Sequence, residues 1–339
     1  MKILFICGSL NQTTMMYEIS KHFKNEECFF TPYYTDGFLD YFVKKGILDF
    51  TILGGQAREK TENFLKRNNL KVDYKGMQND YDLVYTCSDL IIPKNIQNKK
   101  IILVQEGMTN KDTLTYYLTK YLKLPRYLGD TAMFGQSNKY DLFCVASEGY
   151  KDFFVNRGAE QSKISVTGIP NFDNFKKYYR NNFPYKSYAL VATSDQRETL
   201  HHENRKQFIK NAVEIAEDKQ LIFKLHPNEN FNRAIKEINK YAPGSLIYTS
   251  GNINEMIANC DILITRYSSV VYVGLALNKE VYSDFEIETL KKLLPIQNNG
   301  QSAFNIAEVG YQLLYSNIPK PAQVLKKYKL KRKLLSKAV

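Results

Sequence analysis

Short runs dense in Ile, Val, Leu, Phe and Tyr recur along the chain with amphipathic segments between them. They are KILFIC, DLVYT, KIILV, DLFCVAS and KISVTG in the first half, then YALVAT, LIFKL, SLIYTS, DILIT and EVYSDF. A strand that is apolar on both faces must be covered on both, and parallel sheets with helical crossovers meet that demand. The fold class is therefore α/β. Ten such strands are more than one sheet of ordinary size holds. Apolar content falls and charge rises in NFKKYYRNNFPYKS, residues 174–187, where Pro184 interrupts. The expected architecture is a Rossmann-like domain over 1–173, a linker over 174–187, a second Rossmann-like domain over 188–310, and a C-terminal helix with a basic tail over 311–339. No sequence repeat relates the two halves.

The 339 residues are 44% hydrophobic, enough to fill two cores. Formal charge is +12, from 47 basic and 35 acidic residues, which favours anionic partners. Much of the excess sits in the tail KKYKLKRKLLSKAV, residues 326–339. With the charge concentrated there and no stacking-aromatic motif, a nucleic-acid-binding role is set aside. The five cysteines lack C-x-x-C spacing and the four histidines are dispersed, so neither a disulfide framework nor a zinc site is expected, and the compartment reads as reducing. MKILFICGSL has too short an apolar core for a secretory signal, and no run approaches the ~20 residues of a membrane span, so a cytoplasmic protein is expected. For the tail three readings are open: a helix packed on the first domain, a basic amphipathic element on an anionic membrane, or a solvated end.

Open parallel sheets bind ligands beyond the carboxyl ends of their strands, so the residues that follow each run carry the functional signal. LIFKL is followed by His226 and Pro227, and DILIT by Arg266, Tyr267, Ser268 and Ser269. YALVAT ends in Thr193 with Ser194 and Arg197 behind it, and KIILV leads through Gln105 to Glu106. His226 can cap its strand or face a ligand. Ser268 and Ser269 can cap a helix or, with its free N–H groups, hold phosphate, and Arg266 or Arg197 can meet a diphosphate. Glu106 suits a general base or a strand-end cap. CGSLNQTT opens a helix after the first strand, with Gly8 and Ser9 either shaping a cleft or only capping; one glycine is far from a dinucleotide fingerprint. Asp80 and Asp82 begin a strand, the wrong edge for a metal site, and no metal is expected.

These residues carry a resemblance. KLHP paired with ITRYSSVVYVGLALNKEV resembles the His-Pro and Ser-Ser motifs of GT-B glycosyltransferases that use cytidine-activated donors: bacterial sialyltransferases, Kdo transferases, and the CDP-glycerol glycerophosphotransferases of teichoic-acid and capsule synthesis. YDLFCVASEGYKDFFVNRGAEQSKISVTGIPNFDNF is similar to the segment that ends the first domain in glycerophosphotransferases and in UDP-N-acetylglucosamine 2-epimerases. The similarity spans about Ile101 to Ser283. It implies a GT-B fold, two Rossmann-like domains facing across a cleft, and a metal-independent, cofactor-free transferase with a CMP- or CDP-linked donor. It also implies a glycan or lipid-linked glycan acceptor at the inner face of the plasma membrane. In the resembled transferases the histidine and serine pair hold the nucleotide phosphates, which gives that role to His226, Ser268 and Ser269. At the place of Glu106 the glycerophosphotransferases have a His-Gly pair and the epimerases a glutamate. An epimerase-like nucleotide-sugar isomerase is the alternative; against it, the acid and glycine expected in the second domain are replaced by Ser268 and Ser269.

Overall fold

The structure, a computed structural model, describes residues 1–108, 114–198 and 203–315. The basic tail at 326–339 lies outside the described residues, as do His201 and His202 at the start of the segment behind Arg197. The chain forms two units, one of Met1–Asp173 together with the chain from Asn298 onward, the other of Asn174–Gln297.

The first unit is built on six parallel strands: β1 (Lys2–Cys7), β2 (Glu27–Pro32), β3 (Leu83–Thr86), β4 (Lys100–Val104), β5 (Leu142–Val145) and β6 (Ile164–Val166), in the order β2-β1-β3-β4-β5-β6. Ile3 is in register with Cys28 on one side and Leu83 on the other. Five of these strands are the first-half runs read from sequence. The sixth, ECFFTP, escapes that reading because it is an edge strand, buried only over its last residues and ending in a proline that an edge tolerates. Helices α1 (Leu10–Ser20), α2 (Gly37–Lys44), α3 (Gly55–Arg67), α4 (Leu114–Tyr121) and α5 (Glu148–Asn156) connect the strands. The chain runs from β1 to β2 on one side and then to β3 on the other, so the loops after β1 and β3 diverge at a topological switch point.

The second unit has five parallel strands: β7 (Ala189–Ala192), β8 (Leu221–Lys224), β9 (Leu246–Tyr248), β10 (Ile262–Thr265) and β11 (Glu280–Tyr282), in the order β11-β10-β7-β8-β9. Between them run α6 (Arg205–Ala216), α7 (Phe231–Tyr241), α8 (Ile253–Asn259), α9 (Val270–Ala276) and α10 (Ile287–Leu293). Its switch point lies between β7 and β10.

Two boundaries differ from the sequence expectation. Residues 174–187 are not a free linker but part of the second unit. Phe175 is buried, Phe183 packs against Tyr188 and Tyr248, and the Asn259 amide donates to Asn181 Oδ1 and to the carbonyls of Phe183 and Tyr185 at 3.0–3.2 Å. The aromatic residues in this charged stretch supply the burial that its composition hides. Residues 298–310, expected in the second domain, return to the first. There α11 (Ser302–Tyr315) buries Ile306, Ala307 and Leu313 in one cluster with Phe5, Leu83 and Tyr85. The apolar face of β1 and β3 needs this cover as well as α1. The Tyr85 ring stacks on Phe5 at 5.0 Å between centroids and its hydroxyl donates to the Ile306 carbonyl at 3.2 Å. Gly310 makes room for it: a Cβ there would lie 1.9 Å from Tyr85 Oη. Asp173 ties the return together, accepting from the backbone N–H groups of Asn298 (2.6 Å) and Ser302 (2.9 Å).

Candidate active site

In the second unit the turn after β8 gathers the predicted residues. His226 to Glu229 form a β-turn closed by Glu229 N–H donating to His226 O at 3.0 Å, with Pro227 at the position whose φ its ring presets. The Glu229 carboxylate folds back under the turn. It accepts from His226 N–H at 2.9 Å, from the Thr193 hydroxyl at the end of β7, and from the Arg205 guanidinium at 2.7 Å. Glu229 and Arg205 are both buried and pair with each other, and Arg205 pairs as well with Glu203 at 2.6 Å. Thr193 Oγ1 also accepts from His226 N–H at 3.0 Å, so the ends of β7 and β8 are joined beside the switch point. The His226 ring remains half-exposed. Its Nδ1 accepts from Asn228 N–H at 3.3 Å and lies 3.6 Å from Asp195 Oδ2. That assignment makes Nε2 the N–H donor.

On the other side of β7, Thr265 Oγ1 donates to the Ala192 carbonyl at 2.9 Å and locks the ends of β10 and β7 together. Ser268 is half-buried and Ser269 exposed at the start of α9. Capping here is slight: Ser269 makes no side-chain cap bond, and Ser268 Oγ accepts from Val270 N–H only at 3.5 Å. Tyr267 meets Phe285 edge-on at 5.2 Å. The two arginines already have carboxylate partners. Arg266 Nε donates to Asp284 at 2.7 Å, and Arg197 donates to both oxygens of Glu237 at 2.9 Å. Ser194 is buried with its hydroxyl lacking a partner among the described residues.

In the first unit Glu106, Ser9 and Gly8 come together at the switch point. Gln105 is fully buried and fixes the turn after β4: its side-chain oxygen accepts from Ala146 N–H at 2.9 Å and its amide donates to the Gly107 carbonyl at 2.8 Å. Glu106 is thereby set against α1, accepting from Ser9 Oγ at 2.9 Å and from Gln12 Nε2 at 2.6 Å. Ser9 also caps α1 by accepting from Gln12 N–H at 3.2 Å, so capping and site-building are one arrangement. A Cβ on Gly8 would lie 1.8 Å from Gln12 Oε1, and a side chain there would push Gln12 off the carboxylate. Each Glu106 oxygen has one donor and can accept more. The carboxylate stands at the polar end of a cavity of about 720 Å³ whose walls are mostly apolar, among them Tyr33, Phe50, Leu90, Ile91 and Leu128.

Sequence reasoning missed Glu229, Arg205 and Gln12. An acid three residues after His-Pro is a signal for the first; the other two show only when the chain is folded. Asp80 pairs with Lys99, and Asp82 accepts from Lys2 N–H at 2.8 Å, both just before β3 at its amino edge. Among the described residues no group of three or more His, Cys, Asp or Glu side chains converges as metal ligands would. No helix among them is long and apolar enough to cross a membrane.

The sequence model of the family described as CDP-Glycerol:Poly(glycerophosphate) glycerophosphotransferase matches residues 83–283, more than half of the chain. No curated protein sequence matches it. Solved structures similar over nearly the whole length include a UDP-GlcNAc 2-epimerase from Neisseria meningitidis bound to UDP-GlcNAc (14% identity, 98% of this chain and 100% of that one, TM-score 0.51). A glycosyltransferase from Rickettsia africae is also similar (12% identity, 98% of each chain, TM-score 0.50). The likeness to these structures is one of fold, and that fold is GT-B.

Proposed function

Because this chain belongs to the CDP-glycerol:poly(glycerophosphate) glycerophosphotransferase family, we propose that it is a transferase with a CMP- or CDP-linked donor. The group it moves, glycosyl or glycerophosphoryl, passes to a hydroxyl of a glycan or lipid-linked glycan in bacterial cell-surface polysaccharide synthesis. The observation that carries this reading is the turn at His226, held by Glu229 and Thr193 at the switch point of the second sheet, with Ser268 and Ser269 across β7 from it. As the nucleotide departs, negative charge grows on a phosphate oxygen. The His226 ring N–H, the two serine hydroxyls and the backbone N–H groups at α9 are donors set in place before the reaction, so they stabilise that charge without reorganising. Glu106 takes the proton of the attacking hydroxyl as the new bond to oxygen forms. In this scheme no metal takes part, and turnover should survive EDTA.

Thermal shift against CMP, CDP, UDP and GDP tests the donor. A ligand at 100 times its Kd stabilises the native state by about 2.7 kcal/mol, so the cytidine nucleotides should raise the melting temperature more than the others. Equal shifts, or none, would remove the cytidine assignment.

A further inference from the structure

We propose that the cavity below Glu106 takes the hydrocarbon part of an uncharged, amphiphilic alcohol, so that the accepting hydroxyl is borne beside hydrocarbon and not within a polyanionic chain. This assignment rests on Glu106 being the base for the acceptor, as proposed above. The polar side chains of the cavity are turned on the protein itself. Ser9 and Gln12 donate to Glu106, the Tyr33 hydroxyl donates to the Ile91 carbonyl at 2.9 Å, and Thr51 donates to the Leu48 carbonyl at 2.7 Å. A bare glycan filling this space would bury hydroxyl groups with few partners left to meet them, and an unpaired buried hydroxyl is costly. Hydrocarbon needs no such partners. Helix α2 buries none of its own residues; its Leu39, with Leu48 and Ile52 of the loop behind it, lines the cavity and stays partly exposed. A hydrocarbon chain entering there takes these side chains out of water along with itself. The volume, about 720 Å³, is that of a site for a whole small molecule.

Charge points the same way. Among the described residues that line the cavity there is no Lys, Arg or His, and Glu106 is the one acid. A phosphate group entering it would stand against that carboxylate with no lining cation to offset the charge, and a like-charge contact of this kind costs affinity. An alcohol oxygen, by contrast, finds at the polar end a carboxylate whose two oxygens each keep room for a further donor. A molecule with its hydroxyl at Glu106 and its hydrocarbon along the apolar walls satisfies both ends of the site. The rim is apolar too: Phe50, 86% exposed, lines the cavity from the loop after α2, and Leu128, 50% exposed, from the 3₁₀ segment Arg126–Met133.

The test is titration calorimetry of the full chain with uncharged 1-O-butyl-, 1-O-hexyl- and 1-O-octylglycerol, all below micelle-forming concentrations, beside glycerol and glycerol 3-phosphate. No nucleotide is present, so failure here leaves the transferase reading standing, and failure of the cytidine thermal shift leaves this result untouched. Affinity should rise about fourfold with each added methylene that enters the cavity, and the octyl compound should bind at least about a hundredfold more tightly than glycerol or glycerol 3-phosphate. The double variant F50E/L128E should lose at least about tenfold in octylglycerol affinity with an unchanged melting temperature, both positions being exposed. If that variant melts lower than the parent, Leu128→Asn alone takes its place, with a loss of about threefold. The proposal is overturned if affinity does not depend on alkyl length, if glycerol 3-phosphate binds as tightly as octylglycerol, or if the rim variant binds octylglycerol as the parent does.

Discussion

Glu106 and His226 each lie just past the carboxyl end of a strand one removed from the switch point of its own sheet, and the proposed scheme gives them different tasks. Replacing Glu106 by Gln keeps the shape and both oxygen-side neighbours within reach but removes the proton acceptor. Turnover should fall roughly 10²- to 10⁴-fold while nucleotide affinity, measured by titration calorimetry, stays near that of the parent. A loss of nucleotide binding would contradict the base role. Glu229 belongs to a different class of residue. Glu229→Ala would remove one of the two carboxylates that pair with Arg205, Glu203 being the other, and the acceptor shared by His226 N–H and Thr193, so urea unfolding should show roughly 1–3 kcal/mol of lost stability. His226→Ala, at a half-exposed ring, should leave stability nearly unchanged and weaken nucleotide binding. His226 and Glu106 were legible in the sequence because strand-end position is written in the apolar run before them. Arg205 and Gln12 were not, because each works by folding back on a neighbour, a geometry that residue order does not encode.

At the scale of elements, the near-continuous apolar strands were readable for the same reason that they are buried: both faces are covered. β2 was not, since an edge strand has less to hide, and neither was α11, whose first residues the sequence reading left in the second domain. Its membership is decided by shape at Gly310. Ala in place of Gly in a helix ordinarily gains up to about 1 kcal/mol, but here the added methyl runs into the Tyr85 hydroxyl, and overpacking of a core costs about 1–3 kcal/mol. Gly310→Ala should therefore destabilise the protein in thermal or urea unfolding. Combining it with Tyr85→Phe, which removes the clashing oxygen, should recover part of the loss; if the double variant is no more stable than G310A alone, α11 does not pack on β3 as described.

Across the whole molecule, burial also sets the response to alkali. It pushes the thiols of Cys28, Cys144 and Cys260 up from an ordinary 9.0 to about 12, and the Tyr33 and Tyr34 hydroxyls up from 10.0 to about 12. Below pH 9 folded and unfolded chains both keep these protons. Above it the unfolded chain releases them first, so the unfolded state gains and stability falls as pH rises toward 12. The melting temperature should be insensitive to these groups near neutrality and decline steadily above pH 9; a flat profile there would show that the thiols are not held in a water-poor interior. The two-sheet plan was visible from composition, whereas the return of the chain after Gln297 was not, because amphipathic periodicity records that a helix has a partner and not who the partner is.

The late return of α11 has a consequence in time. A ribosome delivers the chain from its amino end, and β1 and β3 leave the exit tunnel long before the helix that covers them. Roughly 130 residues, the whole second unit among them, separate Asp173 from Ser302, and at about 5–20 residues per second their synthesis takes roughly 6–26 s. Throughout that interval Phe5, Leu83 and Tyr85 lack the cover of α11, while the second unit, contiguous in sequence, is free to fold as soon as it is made. The second unit can thus be finished before the first, whose sheet stays incompletely covered until α11 arrives.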